Sequence, residues 1–171
     1  MSIVAGFTTA QIAALTTLQI QSMTTADVAT LTSAQVSALT TDQVVAFETI
    51  QIAALQAAQI AILSTEQVAA IETADIAVFK TVQVAALTTA GVAALRTDQV
   101  QAIASGSIAA LKTAQIAAFS TDQVVALQTA QVAALTTAQV VALSTDQVVS
   151  IETADLIVLK TAQIAALKTS R

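Results

Sequence analysis

The octapeptide TTDQVVAF, residues Thr40–Phe47, contains the pattern that decides the fold. Its apolar residues Val44 and Phe47 are three positions apart, which places them on one face of an α-helix but on opposite faces of a β-strand. In related octapeptides of this chain the two positions between them are mainly alanine, the residue with the highest helix propensity. The pattern therefore predicts a short α-helix with one apolar face.

The same pattern repeats along the whole chain. From Thr8 to Leu167, twenty octads follow one another without an insertion or deletion, and the flanking residues fit the same register. We number the positions of an octad as columns 1 to 8. Thr dominates column 2, Gln column 4, Val or Ile column 5, Ala columns 6 and 7, and a large apolar residue column 8. Residues 1–171 are therefore predicted to form a single continuous repeat array.

One continuous helix does not fit this period. Eight residues exceed two helical turns by roughly 80°, so the apolar columns would spiral around the helix instead of forming one face. The chain must turn once per octad, and Thr hydroxyl groups can cap the new helix. The spacing Thr40-x-x-Gln43 matches a capping box. Because column 1 also accepts Lys, Arg and Glu, we assign the main cap to column 2, as at Thr41, Thr65, Thr121 and Thr145.

Helices of one to two turns are unstable alone and must stack to bury their apolar columns. We therefore predict an all-α solenoid of short single helices, one per octad. The acidic column 3 residues Asp98, Asp122 and Asp146 recur every 24 residues, which suggests three octads per superhelical turn. The even period and the many Val, Ile and Thr residues leave a β-solenoid as the alternative.

The nearly constant Gln of column 4 has two interpretations. Its amide has donors and an acceptor, so it could form hydrogen bonds between successive coils as a ladder. It could instead close a capping box or point into water. The candidate ladder residues are Gln123, Gln131 and Gln139.

The composition excludes several classes of function. The chain has no His and no Cys, and its three Gly residues form no phosphate-binding loop, so we expect no catalytic residues, no cofactor and no metal site. A net charge of −5 opposes binding to nucleic acid. The longest apolar run, Ala90–Leu95, is far shorter than the ~20 residues of a transmembrane helix. The segment MSIVAGF lacks the basic and apolar regions of a signal peptide.

Two resemblances follow from these motifs. The segments TTDQVVAF and RTDQVQAIASG (96–106) resemble the first short helix of the TAL effector repeat, but the base-reading pair and second helix of that family have no counterpart here. The whole chain is similar to the low-complexity TTAQVAAL-type octads of large bacterial secreted or surface proteins. The first resemblance implies a capped short helix without DNA reading. The second implies a structural role in an extracellular or cell-surface location.

We therefore expect a non-enzymatic spacer or stalk, or a self-assembling filament or matrix element. Neither MSIVAGF nor KTSR resembles the polar cap of a monomeric solenoid, which favours end-to-end association. One alternative is a binding module that uses a solenoid face for a peptide, a glycan or ice. The other is a β-solenoid that resembles functional amyloid.

Overall fold

The computed structural model describes residues 4, 6–151 and 153–169. These residues form twenty short α-helices, one in each octad, and contain no β-strand. The prediction of an all-α solenoid is therefore confirmed, and the β-solenoid alternative is wrong. Residues 1–3, 5, 152, 170 and 171, which include most of the two flanking segments, lie outside the described residues.

The helices have four to six residues, apart from the last one with nine. Their bounds are α1 Thr9–Ala13, α2 Thr17–Gln21, α3 Thr25–Thr30, α4 Ser33–Ser37, α5 Thr41–Ala46, α6 Thr49–Ile52, α7 Ala57–Ile60, α8 Thr65–Ala70, α9 Thr73–Ala77, α10 Thr81–Ala86, α11 Thr89–Ala94, α12 Thr97–Ala102, α13 Ser105–Ile108, α14 Thr113–Ala117, α15 Thr121–Val125, α16 Thr129–Ala134, α17 Thr137–Ala142, α18 Thr145–Ser150, α19 Thr153–Leu156 and α20 Thr161–Thr169.

The corners between helices use extended backbone. In the octad of α5, Phe47 of column 8 ends the helix at φ −63° and ψ 138°, and Thr40 of column 1 precedes it at φ −76° and ψ 162°. No described residue has a positive φ. Each corner is therefore open to ordinary L-residues, which explains how the array turns once per octad with so few Gly and no Pro.

The helices stack with a fixed offset of three octads. From α1·α4 to α17·α20, every helix pair in contact within the described residues is separated by three octads, and each such pair along the array is present. Helices 24 residues apart in sequence are therefore neighbours, which agrees with the spacing of the acidic residues. We call the run of three to four octads after which the chain lies beside itself one coil.

Columns 5 and 8 form one continuous apolar core. In column 5, Ile12, Val92 and Ile108 are all 0% exposed, and in column 8, Ile71 is also 0% exposed. The Phe residues of column 8 lie in the same core and are about as buried as the Leu residues that replace them elsewhere. Because every octad contributes two core residues, the core extends along the stack instead of forming one centre.

Over residues 4, 6–151 and 153–169, no helix has the length and hydropathy that crossing a lipid bilayer requires.

Candidate functional site

The most regular polar feature inside the array is the Gln of column 4. These side chains lie beside the core and are almost inaccessible: Gln99 is 0% exposed and Gln51, Gln83 and Gln131 are each 1% exposed. A buried amide is stable only when its donors and acceptor are paired. The column therefore depends on a specific set of partners.

The amide oxygen pairs with the start of its own helix. In the octad of α15, Gln123 Oε1 accepts a hydrogen bond from the Ser120 backbone N–H at 2.8 Å, and the Ser120 hydroxyl accepts from the Gln123 N–H at 3.1 Å. These two bonds form a capping box. The first bond needs only a backbone N–H in column 1, so it also forms where column 1 is Lys80, Arg96 or Gln128.

The amide nitrogen pairs with the preceding coil. Gln123 Nε2 donates to the carbonyl oxygens of Val92 and Leu95, 31 and 28 residues earlier, at 3.0 and 2.6 Å. These carbonyls belong to columns 5 and 8 of the octad four places before, where the helix ends. We call these contacts cross-coil bonds. The Leu95 carbonyl lies just beyond the helix, where carbonyl groups have no partner further along the helix. The Val92 carbonyl already accepts from the Leu95 N–H at 3.2 Å and gains the amide as a second donor.

Cross-coil bonds recur along the described array. They are made by the column 4 residues Gln35, Gln43, Gln51, Gln59, Gln67, Gln83, Gln99, Gln115, Gln123, Gln131, Gln139, Gln147 and Gln163. The partners are backbone carbonyls and not neighbouring Gln side chains. The stack is therefore held by side chain to backbone bonds with one repeated register.

The two interpretations of the Gln column are combined in one side chain. Gln123, Gln131 and Gln139 each close the box at the start of their own helix through Oε1. The same three residues cross to the preceding coil through Nε2. Each Gln therefore links the N-terminus of one helix to the C-terminal end of another.

The helix cap lies one position before the one assigned from the sequence. Thr41, Thr65, Thr121 and Thr145 are the first residues of their helices and are exposed, so the assignment of the cap to column 2 is wrong. The N-cap residues are those of column 1, namely Thr40, Ser64, Ser120 and Ser144. The physical reason is the box itself, because a hydroxyl reaches the N–H three residues on, and Gln occupies that position only relative to column 1.

A matched pair of substitutions tests this cap. Thr40→Ala is expected to lower the free energy of unfolding by about 1 kcal/mol, because the Gln43 N–H loses its acceptor at 3.2 Å. Thr41→Ala is expected to leave the stability unchanged or slightly raised, because Thr41 is exposed in the first helical turn and Ala favours helix. Urea unfolding followed by circular dichroism measures both. A larger loss for Thr41→Ala would contradict a cap in column 1.

Column 2 hydroxyls have a different use, which the sequence did not reveal. Thr73 Oγ1 donates to Asp98 Oδ2 at 2.7 Å, and Thr81 Oγ1 lies 3.1 Å from Ser107 Oγ. Both pairs join helices three octads apart. The Thr73 hydroxyl and then the Arg96 guanidinium lower the pKa of the Asp98 carboxyl. Column 2 therefore contributes polar contacts between coils at the surface.

Asp75 replaces Gln in column 4 and breaks the pattern. Its side chain is 2% exposed, and its Oδ2 has no hydrogen-bond partner within the described residues. Burial raises the pKa of the Asp75 carboxyl, the Thr49 hydroxyl partly opposes this change, and the Glu72 carboxylate adds to it. Asp has one methylene group fewer than Gln and no amide donor. The coil before it therefore loses the cross-coil bonds that Gln would make.

In the described part of the chain, no group of three acidic side chains is close enough together to hold a metal ion. The absence of catalytic, cofactor-binding and metal-binding residues stays a prediction.

One helix per octad, a continuous core and a repeated cross-coil register define an α-solenoid repeat protein. A family model described as the ALTTAQ repeat matches residues 18–49, 68–105, 100–137 and 125–150, which together span about two thirds of the chain. The chain belongs to the ALTTAQ repeat family. No curated protein shows a significant match to it.

Proposed function

We propose that this chain is a non-catalytic structural element, a spacer or stalk that associates end to end into filaments or a matrix outside the cell. The observation that carries the proposal is the Gln column. The geometry that repeats from octad to octad joins each coil to the next, because the most regular buried polar side chains bond to the backbone of their own chain. An element of this kind has a fixed length and a fixed axis.

The surface supports a structural role more than a binding role. The exposed columns carry mostly Thr, Ala and scattered charges, and all four aromatic residues of the chain are Phe. Phe47, Phe79 and Phe119 of column 8 are buried in the core. A glycan-binding face normally presents exposed aromatic rings. The third and sixth columns instead expose isolated apolar residues such as Leu18, Ile50 and Val149.

The location outside the cell is proposed from the resemblance to octad-rich secreted and surface proteins. Membership of the ALTTAQ repeat family supports a structural repeat role in general but does not bear on the location. A fusion of the protein, in its native host, to a reporter enzyme that is active only outside the cytoplasm tests the location. An inactive fusion, together with activity of a matching fusion to a cytoplasmic reporter, would contradict it.

The structural role is tested by measuring shape and assembly together. With neighbouring helices about 8–10 Å apart, twenty octads stacked three to a layer give a rod of about 60 Å. We expect small-angle scattering at low concentration to give this length and far-UV circular dichroism to show helix. At rising concentration, sedimentation velocity and negative-stain imaging should show rods that grow in length and not in width.

Two results would contradict the proposal. If the protein stays monomeric at every concentration, the proposed self-assembly is wrong, although a spacer role would stand. Assemblies that grow in width would show lateral pairing of the solenoid sides, and the proposed end-to-end association would then be wrong.

A further inference from the structure

The octad of α9 contains a buried oxygen without a hydrogen-bond donor. Among the buried side-chain atoms of the described residues, only Asp75 Oδ2 has no partner. Asp27 also replaces Gln in column 4, but its Oδ2 accepts from the Thr24 N–H at 3.0 Å and from the Thr24 hydroxyl at 2.6 Å. In the octad of α9, column 1 is Glu72, which has no hydroxyl and makes no side-chain cap bond. The Asp75 carboxylate therefore lacks the partner that Asp27 has.

The carbonyl groups of the preceding coil lack a donor at the same octad. The amides of Gln67 and Gln83 reach carbonyls 31 and 28 residues earlier, and the same offsets from Asp75 select Val44 and Phe47. The Val44 carbonyl accepts the Phe47 N–H at 3.4 Å, and the Phe47 carbonyl accepts no hydrogen bond among the described residues. Carboxylate and carbonyl oxygens therefore lie on two sides of the space that an amide nitrogen occupies in the neighbouring octads.

No basic side chain balances the negative charge at this octad. Residues 1–79 contain no Lys or Arg, and the ion pair of the described residues joins Arg96 to Asp98. Burial raises the pKa of the Asp75 carboxyl, and the Glu72 carboxylate adds a smaller effect in the same direction. A positive charge between these oxygens would therefore be stabilised.

We propose that Asp75, Glu72 and the backbone carbonyls of Val44 and Phe47 bind one Ca²⁺ ion, which joins the coil of α9 to the preceding coil. The ion takes the position of the amide nitrogen in octads with Gln, and the methylene group that Asp lacks leaves room for it. Ca–O distances of about 2.3–2.6 Å are only slightly shorter than the amide hydrogen bonds. The proposal adds a cation site that the composition of the chain does not predict.

The ligand set favours calcium over other metals. Hard oxygen ligands disfavour metals that prefer nitrogen or sulfur. Ca²⁺ accepts carboxylates, backbone carbonyls and water in a flexible geometry, whereas Mg²⁺ requires a nearly ideal octahedron. Because the site has only two charged ligands, we expect a dissociation constant of about 1 mM, as in extracellular calcium-binding modules. Glu72 is exposed, so the ion has access from the surface.

A water molecule is the alternative occupant. Water can donate to both the Asp75 carboxylate and the Phe47 carbonyl, but it leaves the buried negative charge without compensation. Water and Ca²⁺ differ in one measurable respect, because only the ion makes the stability depend on the concentration of calcium.

The site is tested first by the effect of calcium on stability. At constant ionic strength, about 10 mM CaCl₂ should shift the unfolding equilibrium about tenfold towards the folded state. The same concentration of MgCl₂ should give a smaller shift. Asp75→Gln should lose the calcium effect, because its amide occupies the position of the ion. Asp122→Asn is the matched control, since it removes one exposed acidic charge and leaves Asp75 intact, and it should keep the effect.

The position of the ion is tested independently with Mn²⁺. This paramagnetic ion binds the same kind of oxygen ligands and broadens the NMR signals of nearby nuclei. Substoichiometric Mn²⁺ should broaden the amide signals of Phe47, Thr49 and Asp75 in the unmodified protein, and excess Ca²⁺ should restore them. The corresponding signals of Asp75→Gln should stay sharp.

Three results would overturn the site. If the unmodified protein shows no calcium effect, water or a proton fills the space and no ion binds. If Asp75→Gln keeps the full effect, or if Mn²⁺ broadens signals beside exposed residues such as Asp42 and Asp146 instead, calcium is attracted by the acidic surface in general. An equal shift with MgCl₂ would overturn the assignment to calcium. The proposed end-to-end association is measured separately and does not depend on any of these results.

Discussion

Replacing Gln123, Gln131 and Gln139 together by alanine is expected to lower the free energy of unfolding by about 5–10 kcal/mol. Each Gln loses one bond to its own N-cap N–H and two to the preceding coil, for example to Ile108 and Leu111 at 2.8 and 2.7 Å. A net bond contributes about 1 kcal/mol, and the column 8 carbonyls that lose their amide donor add to the loss. The three octads are consecutive, so one whole contact between coils is weakened.

The expected mode of failure is specific to a repeat array. Because each octad touches only its neighbours along the stack, a weakened contact should divide the array into two blocks that unfold separately. Urea unfolding followed at 222 nm should therefore change from one transition to two. Limited proteolysis should then cut first between the octads of α11–α13 and those of α15–α17.

The control is the exposed Gln101, which is also a Gln on a helix but points away from the core. Gln101→Ala should melt like the unmodified protein or slightly higher, because Ala favours helix. If the triple variant also melts like the unmodified protein, the cross-coil bonds contribute nothing to stability, and the main support for the structural proposal is lost.

The helix in each octad could be predicted from the sequence because it depends on local spacing. Residues such as Val44 and Phe47 share a face only in a helix, and both are buried as that spacing requires. The period of eight also required one corner per octad. Both conclusions need only neighbouring residues, which a sequence displays directly.

The sequence pattern favours column 2 as the N-cap, which is wrong, because the capping box does not require a particular side chain at its first residue. Gln83 Oε1 accepts from the Lys80 backbone N–H at 2.8 Å, and every residue except Pro has that donor. Column 1 can therefore vary while it remains the N-cap. Some column 2 hydroxyls instead make tertiary contacts, as in the Thr73 to Asp98 bond, which joins residues 25 positions apart.

The register between coils could not be predicted from the repeat alone. In an array with a period of eight, a shift of one whole octad brings equivalent residues opposite each other, so the pattern does not choose among shifts. The choice depends on the reach of the Gln side chain, whose amide bonds residues 28 and 31 positions earlier while helices 24 positions apart pack together. This geometry exists only after the chain has folded into coils.

Replacing Asp75 by glutamine is expected to raise the free energy of unfolding by about 2–3 kcal/mol at neutral pH. The substitution removes a buried carboxylate whose Oδ2 has no partner among the described residues. It also supplies an amide that reaches the carbonyls of Val44 and Phe47, the positions 31 and 28 residues earlier that the register of Gln67 and Gln83 selects. Neighbouring octads accommodate Gln in this column, so the added methylene group has space.

The gain should depend on pH in one direction. Because burial raises the pKa of Asp75 above its value in the unfolded chain, the folded protein binds the proton more tightly. The stabilisation from this proton is fully present below the unfolded pKa, about 3.9, and is lost as pH rises through the folded pKa. The advantage of Asp75→Gln over the unmodified protein should therefore be smallest near pH 3.5 and increase towards pH 7.

Two further variants separate the charge from the bonds. Asp75→Asn removes the charge without reaching the preceding coil, so it should remove the contribution of Asp75 to the pH dependence of stability but recover only part of the stability. Asp122→Gln changes an exposed acidic residue of column 3 and should have little effect on stability. If Asp75→Asn stabilises as much as Asp75→Gln, the cross-coil bonds add nothing at this octad. If Asp75→Gln destabilises the fold at every pH, column 4 is not the position that joins the coils.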